Sequence, residues 1–330
     1  MDVPLHAYGD LAEFYIDLTS VSFQGIGSFH PQATATAAWA APATVTAGGL
    51  GGTAPCHPRI PGVLFDRFTA QRFKSCLPIG PFKTNRDHYL AKIDHVLALI
   101  RDGLAHRTDP VFAYLAHSEA RALVDQDAHM AREEPTYIMH QDLRPPNMLF
   151  DQDRHITAVI DWEWASTAPL VDVISTCDFL VHVGPGEEYT NEMYESDLLL
   201  IAEFEKRGRT DLAEAVRGSR KYSQLKGFLL GFGWRDRVAT SRFFWYLREA
   251  FLGVNPDPKF ATKEEWTALA LERYKDDAGL QTVIKNAEEA KAAKAAKEKE
   301  EKDKEKEEKE VAEGTRGAAG PAAHGDNEAK

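Results

Sequence analysis

Residues 137–164 read YIMHQDLRPPNMLFDQDRHITAVIDWEW, and the rest of the chain is interpreted around them. Tyr137 to Met139 is a short apolar run ahead of a polar loop with paired prolines. Met148 to Phe150 and Ile156 to Ile160 are then the arms of a β-hairpin, joined by the turn-rich Asp151-Gln152-Asp153-Arg154-His155. A pairing centred on Arg154 sets Met148 opposite Ile160 and Leu149 opposite Val159. One step further it sets Asn147 opposite Asp161, with Cα atoms about 5 Å apart. Side chains directly opposed on an antiparallel ribbon leave the same face. An amide oxygen and a carboxylate are therefore expected to converge at the open end, a pair suited to Mg²⁺, which favours a few oxygen ligands, retained waters and phosphate.

Asp142 lies five residues before Asn147, across Leu143-Arg144-Pro145-Pro146. The prolines fix φ and stiffen that loop. A carboxylate there can accept a hydroxyl proton while a cation is held one loop-width away. These are the parts phosphoryl transfer requires: a group that positions the attacking oxygen, and metal ligands for the charge on the transferred group.

His140-Gln141-Asp142-Leu143-Arg144-Pro145-Pro146-Asn147 matches the H-x-D-L-x-x-x-N catalytic loop of the protein-kinase-like fold, and Ile160-Asp161-Trp162-Glu163 stands where protein kinases carry D-F-G. The combination resembles the aminoglycoside phosphotransferase and choline kinase superfamily, in particular its fungal members. The resemblance implies that Asp142 is the catalytic base, that Asn147 and Asp161 bind Mg²⁺, and that His140 is structural. It also implies that Asp172 braces the catalytic loop, that Arg144 is a candidate phosphate contact, and that ATP is the donor. The non-functional reading of the same stretch is a chance H-x-D match with aspartates that cap turns; His155 reads as a turn residue.

The fold class expected is α+β, mainly helical: the large, C-terminal lobe of a kinase-like fold over residues 1–285, with a flexible insertion at 31–61. A charged Ala/Lys/Glu tail over 286–330 is expected to form a single helix and then disorder. Helices are read at Asp10 to Ser20, Asn85 to His106 with Asn85 as N-cap, and Pro110 to Asp127. Downstream, Leu170 to Val181, Asn191 to Arg207, Asp211 to Phe232 and Ser241 to Phe251 carry apolar faces. Phe23 to Phe29 reads as a strand, its glycines permitting close packing or a bend. Phe228, Phe232, Trp234, Phe243, Phe244 and Trp245 read as core rather than as a ligand box. The run Gly48-Gly49-Leu50-Gly51-Gly52-Thr53 is not a phosphate loop, because no strand precedes it and no lysine follows at the required position.

The 330 residues carry a formal net charge of −12 and 43% hydrophobic residues, enough for a large core. Residues 286–330 hold 10 basic and 13 acidic residues, net −3, which leaves −9 for the body. An acidic body disfavours nucleic acid and anionic membrane as partners. The cluster Glu187, Glu188, Glu192, Glu195 and Asp197 reads as a solvated face, with a cationic acceptor as the alternative. Cys56, Cys76 and Cys177 are scattered and match no zinc spacing. The N-terminus has no signal-peptide pattern, and no apolar run is long enough to cross a bilayer. A cytoplasmic location is expected.

Kinase-like enzymes also use a small lobe, in which a glycine-rich loop and a strand lysine grip the nucleotide phosphates. The lysines before His140 are Lys74, Lys83 and Lys92, and none follows a glycine loop on a strand. The chain is therefore expected to begin near the hinge between lobes, with nucleotide binding impaired. Two functions follow: an ATP- and Mg²⁺-dependent phosphotransferase acting on a small-molecule hydroxyl once a small lobe is supplied, or a catalytically inactive, pseudokinase-like binding module. The acceptor is not specified by these residues.

Overall fold

A computed structural model describes residues 5–28, 81–162, 165–175, 191–229, 237–253 and 262–317, and the backbone at 43–44, 46–47 and 55–56; side chains are described over 5–27, 243–253 and 262–306 and throughout 81–162, 165–175 and 191–229. The glycine run at 48–53, Lys74, Cys76, Cys177, Glu163, Glu187, Glu188, Phe232 and Trp234 lie outside the described residues.

The chain begins with α1 (Leu5–Leu18), then β1 (Val21–Ser22) and β2 (Gly27–Ser28). Three two-residue strands fall within 31–61: β3 (Ala43–Thr44), β4 (Thr46–Ala47) and β5 (Pro55–Cys56). Two long helices, α2 (Asn85–Arg101) and α3 (Pro110–Gln126), precede β6 (Thr136–Met139). After the catalytic-loop motif come β7 (Met148–Phe150), β8 (Ile156–Val159), β9 (Ser166–Pro169) and the short α4 (Leu170–Ile174). The remainder is helical: α5 (Glu195–Lys206), α6 (Thr210–Gly218), α7 (Arg220–Leu229), α8 (Arg237–Leu252), α9 (Lys263–Arg273) and α10 (Ala278–Gly317). This is a mainly helical α+β fold with small antiparallel sheets. Among the described residues no helix is long and apolar enough to cross a membrane.

The sheet that carries the loop runs β2-β9-β6, all antiparallel. All four residues of β9 are buried, and its Ser-Thr-Ala-Pro sequence shows no alternation. Nothing in that sequence marks it as a strand ahead of the helix expected from Leu170. Three further expectations need correction. The N-cap of α2 is Thr84, whose Oγ1 accepts from the Asp87 N–H at 3.1 Å, and Asn85 is the first helical residue. The helix expected over Asp211 to Phe232 is two, α6 and α7. It breaks at Ser219, whose hydroxyl donates to the Val216 carbonyl at 2.7 Å. A side chain competing for a helix carbonyl in this way is a local alternative to the backbone ladder. Finally, α2 ends at Arg101 rather than near His106, and Leu104 is exposed.

Two apolar cores hold the elements together. One joins α2, α3, α7, α8 and α9 with the start of α10, where Leu280 and Val283 are fully buried. At its centre Phe244 packs edge-on to Phe112 and Trp266 and against Phe228 and Trp245. The other joins α1, β6, α4, α5 and α6 around Leu11, Tyr15, Met139, Leu200 and Phe204, and so supports the strand that leads into the loop.

Acid sensitivity follows from the first core. His106 and His117 pack with tilted rings, centres 5.2 Å apart, and the His117 ring centre also lies 4.3 Å from that of Phe228. Burial lowers their pKa values to about 4 and about 3. The unfolded chain binds these protons near pH 6.5, whereas the folded chain resists them. Stability is therefore full above about pH 6.5 and falls as pH drops towards 4, by on the order of 2–3 kcal/mol for His106. His106 has φ 51°, a left-handed conformation that asparagine tolerates. His106→Asn should flatten the dependence of urea-unfolding stability on pH between 6.5 and 4; an unchanged slope would refute the assignment.

Candidate active site

Buried β6 delivers His140 into the space behind the hairpin. The His140 ring is 3% exposed; its Nε2 lies 2.8 Å from the Ile160 carbonyl and its Nδ1 accepts from the Asp142 N–H at 3.2 Å. Those partners require the Nε2–H tautomer. Trp162 closes the other side, edge-on at 4.7 Å, with its Nε1–H donating to the Val159 carbonyl at 2.8 Å. His140 thus ties the loop's first peptide to the end of β8, a structural place.

Pro145–Asn147 forms a single 3-10 turn, with proline φ angles suited to it. It swings the Asn147 amide back over the loop: Nδ2 donates to the Asp142 carbonyl at 2.8 Å and to Asp142 Oδ2 at 3.0 Å. Arg144 Nε also donates to the Asp142 carboxylate at 2.9 Å. Asp142 is consequently fixed from two sides while its side chain stays 36% exposed. Because Asn147 spends its NH₂ on Asp142, its carbonyl oxygen is the atom left for a cation.

The hairpin forms in a different register from the one expected. Met148 pairs with Val159 and Leu149 with Ala158, but Phe150 pairs with Ile156, a bulge at Thr157. The cause is the turn. Asp151 accepts the Asp153 and His155 N–H groups at 3.0 and 2.9 Å, and Arg154 adopts φ 68°, so the chain reverses around Asp153. Ile160, not Asp161, therefore stands opposite Asn147, and the Ile160 N–H bonds the Asn147 carbonyl at 2.9 Å. Asp161 follows one residue later, exposed and at φ 67°. That left-handed turn is uncommon for a residue with a Cβ and is more frequent in aspartate. One ribbon face now carries Leu149, Ala158 and Ile160 in line with Asn147; Leu149 is 47% and Ile160 42% exposed.

Asp172 does not reach the loop directly. Its Oδ1 accepts from the Tyr89 hydroxyl at 2.7 Å and pairs with Lys226 Nζ at 3.1 Å. Lys226 also donates to Ser175 Oγ at 2.7 Å and approaches Met139 Sδ at 3.9 Å. Its link to the loop runs through Lys226 to the strand residue before His140, because Asp172 heads α4 and faces α2 and α7.

The structure thus brings His140, Asp142, Arg144 and Asn147 together, sets Asp161 just beyond them, and leaves Asp172 behind. Sequence alone missed Asp10. From α1 its carboxylate accepts the Ile156 N–H at 3.0 Å and meets His155 Nδ1 at 3.0 Å, clasping the hairpin turn across 146 residues of chain. No local signal could have shown that contact.

Residues 2–194 match the model of the phosphotransferase enzyme family, more than half of the 330-residue chain. The chain belongs to the phosphotransferase enzyme family. The matched region contains the loop, the hairpin and Asp172 and ends before α5. No curated protein and no solved structure gives a significant match. As a family, these phosphotransferases transfer phosphate, which is the chemistry the loop's residue types suit. Among the described residues no group of three or more His, Cys, Asp or Glu side chains is spaced to hold a metal ion. Mg²⁺ does not need one: two protein oxygens, completed by water and phosphate oxygens, form its usual site in such enzymes. The Asn147 side-chain Oδ1 and the exposed Asp161 carboxylate are hard oxygen donors of that kind, although the register does not set them directly opposite one another.

Proposed function

We propose that the chain carries the acceptor-activating half of an ATP- and Mg²⁺-dependent phosphotransferase acting on a small-molecule hydroxyl. The observation that carries this reading is Asp142: a carboxylate clamped by Asn147 and Arg144 yet still reachable from solvent. In this reading Asp142 Oδ receives the acceptor's hydroxyl proton and orients the oxygen for attack. Arg144, half exposed and beside Asp142, is placed to turn its guanidinium towards the transferred phosphate. Asn147 and Asp161 would hold Mg²⁺, which when bound neutralises charge on the phosphates. Leu149 and Ile160 offer the base of a nucleotide an apolar surface on the open hairpin face.

A second reading, a binding module without turnover, draws on the lysines. Lys83 is 80% exposed and lies 3.9 Å from Glu133, while Lys92 is half-buried on α2 against Tyr89. Neither is placed at the hairpin. The grip on the nucleotide phosphates must then come from residues outside those described, from a longer polypeptide of fungal type, or from another chain. The two readings separate when a nucleotide-gripping lobe is supplied: ATP-dependent phosphorylation of a small-molecule hydroxyl then appears in the first and not in the second. The chain alone should show negligible Mg²⁺-dependent ATP turnover, and robust turnover abolished in Asp161→Ala would refute that. In both cases the metal site can be tested without activity. Mn²⁺ binding followed by electron paramagnetic resonance should weaken about ten-fold or more in Asp161→Ala, at least the loss typical of removing a partner outside the metal's own ligands. Equal Mn²⁺ affinity in the two proteins would remove Asp161 from the site.

A further inference from the structure

Asn85, His88 and Lys92 occupy successive turns of α2, with i, i+3 and i+7 spacing, and so share one helix face. Asn85 is 4% and His88 6% exposed. Capping of α2 is done by Thr84, which leaves the Asn85 amide without a structural task. Both its Nδ2 and its Oδ1 are buried with no hydrogen-bond partner among the described residues, and so is His88 Nδ1. A buried polar atom left unpaired costs about 1–3 kcal/mol; three on one face of one helix indicate that something else satisfies them.

Charge narrows what that is. Lys92 is half-buried, and its ammonium lies 5.4 Å from the centre of the Tyr89 ring. Among the described residues it has no carboxylate at salt-bridge distance. The anion that influences it, Asp172, pairs with Lys226 and accepts from Tyr89 through Oδ1, while its Oδ2 is a further buried oxygen with no hydrogen bond among the described residues. Lys92 is therefore the surplus positive charge of this group. Burial lowers its pKa to about 8, with the Lys226 charge acting in the same direction against Asp172. At neutral pH it is still mostly protonated. His88 is held neutral, first by burial and then by the Lys92 and Lys226 charges, so one ring nitrogen carries a hydrogen and can donate. An ammonium, an amide N–H and an imidazole N–H on one face are donors seeking acceptors, and the excess charge calls for an anion. Water could fill the amide and imidazole sites, but it leaves the ammonium without a counter-charge.

We propose that Asn85, His88 and Lys92 form a buried site for the oxyanion group, carboxylate or phosphate, of a small molecule. Lys92 supplies the charge and Asn85 Nδ2 and His88 the directional hydrogen bonds, with the nearby Asp172 charge offset by Lys226. The site does not depend on phosphoryl transfer at Asp142 and would stand if that reading failed.

The test uses the full chain labelled with ¹³C,¹⁵N-histidine, with the His88 ring resonance identified by its loss in His88→Gln. Inorganic phosphate and, separately, acetate are titrated in at pH 7 and constant ionic strength. A saturable shift of the His88 resonance is expected with at least one anion. Preference for phosphate marks a phosphorylated ligand and preference for acetate a carboxylate one. Affinity should fall about ten-fold or more in Lys92→Met and, should that variant fold poorly, in Lys92→Gln, the loss expected for a charge-assisted hydrogen bond. Lys83→Met, which alters an exposed lysine, should leave it unchanged. No saturable shift with either anion in the folded chain, or equal affinity in folded Lys92 variants, would overturn the proposal.

Discussion

Asp142→Ala should lower phosphoryl transfer by roughly 10²–10⁴ when the chain's loop works with a nucleotide-gripping lobe. In free energy that is about 3–5 kcal/mol of transition-state stabilisation. The expectation rests on what the carboxylate does and on what else depends on it. Asn147 Nδ2 and Arg144 Nε both donate to it, so alanine frees Arg144 and removes one of the two bonds that hold Asn147. The Arg144 pair is about half exposed and contributes roughly 0–1 kcal/mol of stability. Folding should hardly change, and the loss should appear in kcat rather than in ATP affinity. Asn147 is held a second time by the Asp142 backbone carbonyl at 2.8 Å, which survives the substitution and keeps the Asn147 amide in place. The measurement is a coupled ADP-release assay on wild type and variant, with urea unfolding as the control. An unchanged kcat in a folded variant would remove Asp142 from the chemistry.

The largest effect on stability is expected from Phe244→Ala, at about 3–5 kcal/mol. Phe244 is fully buried and contacts Phe112, Phe228, Trp245 and Trp266, which come from α3, α7, α8 and α9. Four elements would face the same void, and rigid aromatic neighbours cannot collapse into it as aliphatic ones can. The loss should show as a lower urea midpoint. Because this core is separate from the one behind β6, the Mn²⁺ affinity of folded protein should be unaffected. A loss under about 1 kcal/mol would mean that the aromatic cluster is not the packed core it is taken to be.

The parts of the site legible in the sequence were those fixed by short-range chemistry. The loop from His140 to Asn147 was readable because two prolines and a 3-10 turn set the Asp142–Asn147 separation locally. The hairpin was readable from its two apolar arms. Its register was not, because the reversal is governed by Asp151 side-chain bonds and a left-handed Arg154, and a one-residue change there moves every pair. The break at Ser219 was likewise invisible, since one hydroxyl bond interrupts an apolar period that continues across it. Strand β9 was hidden because buried Ser and Thr in a central strand give no alternation.

Sequence by itself determined the family's loop, the chemical types gathered around Asp142, and that Phe228, Phe243 and Phe244 are core, because each depends on identity or on neighbours a few positions away. Tertiary structure decided the rest: that Ile160 faces Asn147, that Asp172 serves Tyr89 and Lys226 rather than the loop, and that Asp10 clasps the hairpin turn. It also decided that the polar face of α2 at Asn85, His88 and Lys92 lies near the Asp172–Lys226 ion pair. Those outcomes are set by contacts between residues from about a dozen to more than a hundred positions apart, whose energies depend on burial and on alternative partners that no local pattern records.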